Sequence, residues 1–232
     1  RYLEIVILSY SLIIPVYNEI HKLSLLFEKL NQLPKDIEVI IVDDGSTDGS
    51  ADLINKNKHF LIINNKVNSG KGYSIVKGSK LASKENIILL DSDLEIDVNE
   101  IPKLIKSYEY SSSSALLGKR WDVKNLKIFS PNHFGNYLLT NIFNNLFNTE
   151  FNDVLCCVRI INTNLFKSLN IESNGFGIEI ETIGKLTNLK IQAIEHKVKY
   201  KRRSYEDGKK IKIFHGFNIL FRMIKVKFFQ LS

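Results

Sequence analysis

The front half of the chain alternates short apolar runs with segments of helical periodicity. The runs "SLIIPV", "EVIIV", "FLIIN" and "NIILL" predict four buried strands. Apolar residues recur at helical spacing over residues 20–33, and two further helices are predicted after the second and third strands. Strands that alternate with helices favour right-handed crossovers, so we predict an α/β domain with a mostly parallel sheet.

The back half is less regular. The stretches "SALLGKRW", "DVLCCVRII" and "LKIQAIEHKVKY" predict strands, and residues 132–148 predict an amphipathic helix. "GFGIEIETIGKL" is ambiguous by periodicity, although its spaced Ile and Leu permit a helix. No stretch is typical of a linker, so we predict one domain over residues 1–214, with halves at about 11–120 and 121–214, followed by a helix over 215–232.

Polar clusters follow three of the predicted strands: "YNE", "DDGSTDGS" and "DSDLE". Ligands of parallel sheets gather at the carboxyl ends of the strands, so the three clusters predict a site. Asp91 and Asp93 are spaced to hold one hard divalent cation together with phosphate oxygens. The alternative is a solvated loop whose acids cap the helix predicted near Asn99. Spacing alone does not decide between them.

Two further motifs lie at the same predicted edge. "VDDGSTDGS" predicts a helix N-cap and a tight turn, with Asp44 placed to accept a hydrogen bond from a base or a ribose hydroxyl. "NSGKG" is either a plain turn or one whose backbone N–H groups approach a ligand. It is not the dinucleotide fingerprint, because Ile75 stands where a third glycine is required.

Composition narrows the class of protein. The 232 residues are 44% hydrophobic and 25% charged, which is typical of a globular protein. No apolar run reaches 18 residues, so no membrane-spanning helix is predicted, and no signal peptide is evident from Arg1 onward. Cys156 and Cys157 are adjacent, which does not suggest a disulfide framework and favours a reducing compartment.

The positive charge is concentrated at the C-terminal end. Residues 201–232 carry nine Lys/Arg and two Asp/Glu, whereas the other 200 residues carry 23 of each sign. This neutral remainder, with no groove-reading motif, argues against nucleic-acid binding. From Phe217 onward one predicted helix face carries Leu220, Phe221, Ile224, Phe228 and Leu231. Such a helix either packs on the domain or lies on an anionic membrane surface.

Taken together, the motifs resemble a known family. "IPVYNE", "VDDGSTDGS", "NSGKG", "LLDSDLE", "GKR" and "RSYEDGKK" are similar, in this order, to motifs of the family 2 glycosyltransferases, from about Ser11 to about Lys227. The branch it most resembles makes dolichyl- or polyprenyl-phosphate sugars. The resemblance implies a GT-A fold, a divalent metal (Mg²⁺ or Mn²⁺), and inverting transfer of a hexose from a UDP-glucose-like or GDP-mannose donor to a polyprenyl or dolichyl phosphate.

The resemblance also implies roles for individual residues. On the donor side it places Pro15, Tyr17, Glu19, Asp44, Lys71 and Asp91. It makes Asp91, Asp93 and Glu95 the metal ligands, Arg120 a residue that faces the phosphates, and Asp153 a neighbour of the reacting sugar. A basic loop near the donor and acceptor phosphates carries Arg202, Arg203 and Lys209.

Departures from the family pattern leave alternatives open. Relatives usually have Gly at Cys157 and an aromatic at Val158, which puts the shape of the sugar pocket in doubt. Many relatives also have Asp at His215, a departure that concerns the C-terminal tail. A glycan hydroxyl is the alternative acceptor, and it requires a general base, for which Asp153 or a neighbouring residue is the candidate. A lipid phosphate requires no strong base, and Asp153 would then be a positioning residue rather than a proton acceptor.

An inactive nucleotide-sugar-binding module is the non-enzyme alternative. The expected location is the cytoplasmic side of a membrane, peripherally bound. A homo-oligomer or a separate membrane-protein partner is left open.

Overall fold

The structure, a computed structural model, describes residues 9–121, 131–202 and 214–229. Its strands are β1 Tyr10–Val16, β2 Glu38–Asp43, β3 Leu61–Asn64, β4 Asn86–Leu89, β5 Ala115–Lys119, β6 Arg159–Asn162 and β7 Ala193–Lys197. Its helices are α1 Ile20–Leu30, α2 Ser50–Asn55, α3 Lys71–Leu81, α4 Ile101–Glu109, α5 Pro131–Phe147, α6 Thr163–Ser168, α7 Ile178–Asn188 and α8 Phe214–Phe229. The four predicted front-half strands and the helices between them are confirmed.

All seven strands belong to one sheet, in the order β3-β2-β1-β4-β6-β5-β7. The pairs β1–β2, β1–β4, β2–β3 and β5–β7 are parallel, and only β6 runs antiparallel to its neighbours. The prediction of a mostly parallel sheet is therefore confirmed. The carboxyl ends of β1, β2 and β4 adjoin one another, and this places the three polar clusters on one edge.

Helices cover both faces of the sheet, which explains why its strands are continuous apolar runs rather than alternating ones. On one face, Leu12 and Ile14 of β1 join a core with residues of α1, α2 and α4. On the other face, Ile13 joins a core with residues of α3, α5, α6, α7 and α8. Alternate residues of one strand thus enter different cores, as the two-residue period of a strand requires.

The strand predicted over "DVLCCVRII" is shorter than expected. Only its last part forms β6, which begins at Arg159. The preceding residues turn instead, and the fully buried guanidinium of Arg159 donates hydrogen bonds to the carbonyl oxygens of Val154, Cys156 and Glu179. These carbonyls accept from a side chain and not from a neighbouring strand, so the sequence pattern overstated the strand.

The C-terminal helix α8 packs on the domain through one apolar face and exposes another. Ile219, Met223 and Val226 are buried against α5 and α7. Phe217, Phe221 and Phe228, which follow one another at intervals of four and seven residues, are 68%, 69% and 60% exposed. We name the exposed set the α8 apolar stripe, and it consists of Phe217, Phe221, Ile224, Phe228 and Phe229. Leu231 lies outside the described residues.

Candidate active site

The turn after β1 is tied to the turn after β2. Asn18 has a left-handed backbone conformation, with φ of +51°, and its side-chain oxygen accepts from the Thr47 N–H at 2.8 Å. The backbone N–H of Glu19 donates to the hydroxyl of Ser50 at 3.1 Å. Asparagine tolerates this backbone conformation better than most residues. The two turns therefore form one rim, which consists of residues 17–19 and 44–50. The rim contains Tyr17, Glu19 and Asp44, and Pro15 lies beside it in β1.

Asp44 organises the "NSGKG" turn from inside the protein. Its buried carboxylate accepts from the side chains of Asn65 and Ser74 and from the backbone N–H groups of Ser69 and Gly70, at 2.8–3.0 Å. A carboxylate with this many donors fixes the backbone around it. Its direct contact with a nucleoside stays a prediction.

The "NSGKG" turn is more than a plain turn, because another part of the chain lies directly against it. Gly70 has φ of +99°, and a Cβ on Gly72 would lie 1.9 Å from the carbonyl oxygen of Ser173. The backbone N–H of Tyr73 donates to the Asn174 carbonyl at 3.1 Å. The glycines therefore let α3 begin in contact with the segment that leads into α7.

We expect Gly72→Ala to lower the free energy of unfolding by about 1–3 kcal/mol, because the added methyl group collides with backbone that cannot rotate away. Chemical denaturation measures the change. Gly135→Ala is the matched control, since nothing lies within 4 Å of a Cβ at that helical position. Equal stability of Gly72→Ala and the wild type would contradict the close contact.

The contact brings Lys71 between two carboxylates. Its Nζ lies 2.7 Å from Oδ1 of Asp91 and 2.5 Å from Oε1 of Glu179, and Lys71 and Glu179 are both largely buried. Burial alone would lower the pKa of Lys71, but the charges of Asp91 and Glu179 outweigh it and raise that pKa above its ordinary value. Lys71 therefore stays charged and holds Asp91 in place from the side of α7.

The resemblance would bring the helix that carries Glu179 near the acceptor, with a helix that has one solvent face as the alternative, but it assigned Glu179 no role in the site. The residue stands among apolar neighbours in a stretch of ambiguous periodicity, and it lies 108 positions from Lys71. Its only signal was an acid in an otherwise apolar segment, which is unusual for a buried position unless the charge is paired.

The acidic stretch after β4 suits a divalent cation that also takes phosphate oxygens. Asp91 and Asp93 directly follow the strand, and Asp93 Oδ1 accepts from the backbone N–H of Glu95 at 2.9 Å. Within the described ranges, no three His, Cys, Asp or Glu side chains are arranged to hold a metal ion. Two carboxylates completed by water and substrate phosphates are the usual donor set for Mg²⁺, so these residues fit such an ion only together with a diphosphate.

Arg120 and Asp153 form a buried ion pair. Nε and Nη2 of Arg120 donate to the two oxygens of Asp153 at 2.7 and 2.8 Å, and the Arg120 backbone N–H donates to Oδ2 at 3.0 Å. The Asp153 side chain is fully buried. Burial opposes the guanidinium charge, but Asp153 outweighs it and raises the pKa of Arg120 above its ordinary value. The structure thus joins two residues predicted separately.

Of the predicted basic loop, the structure describes only its start. Arg202 is exposed at the end of the segment that follows β7, whereas Arg203 and Lys209 lie outside the described residues.

Cys157 lies near Asp91. Contact with Cys156, burial and the charge of Asp91 raise the pKa of the Cys157 thiol. Both cysteines are free, and a protonated thiol is a weak nucleophile.

Comparison with known proteins assigns the family. The sequence profile "Glycosyl transferase family 2" matches residues 11–227. The chain belongs to this family. It is 37% identical over 108 residues to an undecaprenyl-phosphate 4-deoxy-4-formamido-L-arabinose transferase of Photorhabdus laumondii, a match that covers 43% of this chain and 33% of the relative. The matched part thus spans about a third of such relatives. An uncharacterized protein of Methanocaldococcus jannaschii is 28% identical over 180 residues. This match covers 72% of this chain and 77% of the Methanocaldococcus protein.

Solved structures agree on the fold. Glucosyl-3-phosphoglycerate synthase from Mycobacterium tuberculosis, in a crystal with Mn²⁺, UDP and phosphoglyceric acid, superposes with a TM-score of 0.74 at 15% identity. The superposition covers 95% of this chain and 79% of the synthase. The chain has the GT-A fold, as the resemblance implied. At this identity the likeness shows the fold alone.

Proposed function

We propose that this family 2 glycosyltransferase moves a hexose from a nucleotide-diphosphate sugar to a polyprenyl phosphate, with Mg²⁺ or Mn²⁺ held by Asp91 and Asp93 together with the diphosphate, and with Glu95 as a third ligand in the substrate complex. The observation that carries the choice of acceptor is the buried ion pair between Arg120 and Asp153. Similarity to undecaprenyl-phosphate transferases, such as the Photorhabdus protein, supports the same choice.

The proposed reaction needs no proton transfer. An acceptor phosphate oxygen attacks the anomeric carbon from one face, a new carbon–oxygen bond forms, and the bond to the nucleotide diphosphate breaks on the other face. The electron pair leaves with the diphosphate, and the configuration at the carbon inverts. A divalent metal at the acidic stretch would stabilise the negative charge that the diphosphate acquires.

The state of Asp153 argues against a general base at that position. Both of its oxygens accept from Arg120, and a base must present an oxygen to the proton it removes. A hydroxyl acceptor needs such a base, whereas a phosphate acceptor is already an anion. Asp153 is better suited to orient Arg120, whose charge would stabilise the phosphates.

Lys71 completes the donor side of the site. Its Nζ contacts both oxygens of Asp91, at 2.7 and 2.9 Å, so a metal–diphosphate unit would share this carboxylate with the Lys71 ammonium. The rim formed by residues 17–19 and 44–50 is then the place for the nucleoside. Pro15, Tyr17, Glu19 and Asp44 are proposed to shape that pocket.

A donor and acceptor panel tests the proposal. The protein is incubated with UDP-glucose, GDP-mannose and related sugars, Mn²⁺, and either a short polyprenyl phosphate or a neutral glycan, and products are identified by mass. Transfer to the lipid phosphate supports the proposal. Transfer to the glycan alone would replace it with the hydroxyl-acceptor reaction, and nucleotide binding without transfer would favour an inactive binding module.

We expect Asp153→Asn to slow transfer to polyprenyl phosphate by about 10–100-fold, since it weakens the orientation of Arg120 without removing a base. The residual rate should show the same pH profile as the wild type. Steady-state kinetics from pH 6 to 9 measure both. A loss beyond about 10⁴-fold, or a changed pH profile, would contradict the positioning role and indicate a base.

We also propose that the α8 apolar stripe rests on a membrane that contains anionic lipid. The Arg222 side chain of α8 lies next to Gly177, the residue directly before α7. This contact places α8 beside the N-terminal end of α7, which carries Glu179. A lipid-linked phosphate must reach that edge from a bilayer. Among the described residues, no helix is long and apolar enough to span one. An exposed aromatic stripe with basic residues nearby is typical of a helix in the membrane interface.

A further inference from the structure

Tyr200 ties the chain that follows β7 to the acidic stretch that follows β4. Its backbone forms an isolated antiparallel bridge with Ile96, and the N–H of Lys201 donates to the carbonyl of Glu95 at 2.8 Å. The two segments are about 100 positions apart in sequence and belong to different halves of the domain. Tyr200 therefore lies where the proposed metal motif meets the start of the basic loop.

The side chain of Tyr200 contacts both sides of the site. Its ring centre lies 5.4 Å from Cζ of Arg120 and 6.0 Å from the ring of Trp121, which itself covers the guanidinium at 4.2 Å. Its hydroxyl hydrogen-bonds to the Glu95 carboxylate. A carboxylate oxygen can only accept, so the Tyr200 hydroxyl is the donor in this pair.

We propose that Tyr200 is a positioning residue that fixes the Arg120 guanidinium and the Glu95 carboxylate relative to each other. The inference rests on the proposed function, in which both groups act on one leaving diphosphate. Groups that act together on one leaving group must be held within a fraction of an ångström, and misplacement by 1 Å can cost about 10²-fold in rate. One side chain that contacts both supplies that constraint.

The chain offers a control for a merely structural tyrosine. The hydroxyl of Tyr10, the first residue of β1, donates to Glu109 at 3.1 Å. This pair lies at the amino end of β1, opposite the edge that carries the site. Tyr10→Phe therefore removes the same kind of hydrogen bond as Tyr200→Phe, but away from the chemistry.

The experiment compares Tyr200→Phe, Tyr200→Leu and Tyr10→Phe with the wild type. Calorimetric titration with UDP and GDP in the presence of Mn²⁺ gives nucleotide affinity without relying on turnover. We expect the Kd of the nucleotide that binds to rise about threefold or more in Tyr200→Phe and about tenfold in Tyr200→Leu, with no change in Tyr10→Phe. The kcat for transfer should fall about tenfold in Tyr200→Phe.

Trp121 is the only tryptophan in the chain, so its emission reports the ring contact. We expect a changed spectrum in Tyr200→Leu and an unchanged one in Tyr200→Phe, which keeps the ring. Thermal unfolding identifies any variant that fails to fold. If Tyr200→Leu fails to fold, Tyr200→Phe alone provides the test.

The outcomes separate the inference from the function it rests on. A wild type that binds neither nucleotide would overturn the proposed function. Normal wild-type binding that neither Tyr200 variant weakens would overturn the positioning role alone. The same would follow if Tyr10→Phe weakened binding as much as Tyr200→Phe, because the effect would then belong to the fold.

Discussion

Replacement of Asp93 by alanine is expected to reduce sugar transfer by about 10³-fold or more while the protein stays folded. The carboxylate follows β4 in the acidic stretch, and its Oδ1 accepts a hydrogen bond from the backbone N–H of Glu95 at 2.9 Å. Its removal takes away a ligand of the proposed metal and with it several kcal/mol of charge stabilisation on the diphosphate, where each 1.4 kcal/mol is a factor of ten. Transfer assays with excess Mn²⁺ measure the loss.

Asp97→Asn is the matched control for that experiment. Asp97 belongs to the same acidic stretch, but it pairs with Lys29 at 2.9 Å and caps the turn at Asn99, so its role lies in the fold. We expect its activity to stay within about twofold of the wild type, since surface ion pairs contribute little. Chelator should abolish wild-type transfer reversibly. Full activity of Asp93→Ala, or of the wild type in chelator, would contradict the metal assignment.

The edge of the sheet could be predicted from sequence because its signals are local. An apolar run that ends in acids predicts a strand end, and alternation with helices predicts that neighbouring strands end together. The partners of those acids could not be predicted in the same way. Asp91 is held by Lys71 of α3, and Lys71 in turn contacts Glu179 of α7. Such pairs depend on how distant segments pack, which no short pattern encodes.

The ion pair between Arg120 and Asp153 illustrates the same limit. Each residue was predicted for the site through the resemblance, but in separate roles, one at the phosphates and one beside the sugar. The structure shows that they satisfy each other, because β5 ends where the turn before β6 passes. The turn itself was predicted as strand, since its apolar residues do not reveal that Arg159 occupies the carbonyl oxygens a strand partner would need.

The C-terminal helix shows what periodicity can and cannot distinguish. Helical spacing put Phe221, Ile224 and Phe228 on one face, and these three are exposed together, but it also put Leu220 there, which packs against the core. The pattern offered packing and membrane contact as alternatives. The structure contains a second stripe, Ile219, Met223 and Val226, and this one packs. Packing is therefore confirmed for one face of the helix, and membrane contact through the other face stays a prediction. Which face enters the core depends on the shape of α5 and α7.

We expect the wild type to co-sediment with anionic vesicles at low salt and the double variant Phe221→Glu/Phe228→Glu to lose at least about tenfold in binding. Each change places a charge where an aromatic ring would enter the interface, while the packed stripe stays intact. Point variants are preferable to truncation after Phe214, because truncation would remove the buried Met223 and Val226 and destabilise the domain. Vesicle sedimentation and thermal unfolding measure the two effects separately.

Salt dependence and a control complete the test. Lys225 lies 2.7 Å from Glu172, so part of the charge on α8 is used to hold the helix to the domain. Electrostatic attraction should therefore come mainly from residues such as the exposed Lys201 and Arg202, at about 1 kcal/mol for each basic residue near the lipid. Tyr110→Glu, at an exposed aromatic directly after α4, should bind like the wild type. Absence of binding at low salt, or a double variant that binds normally, would leave α8 a packing helix only.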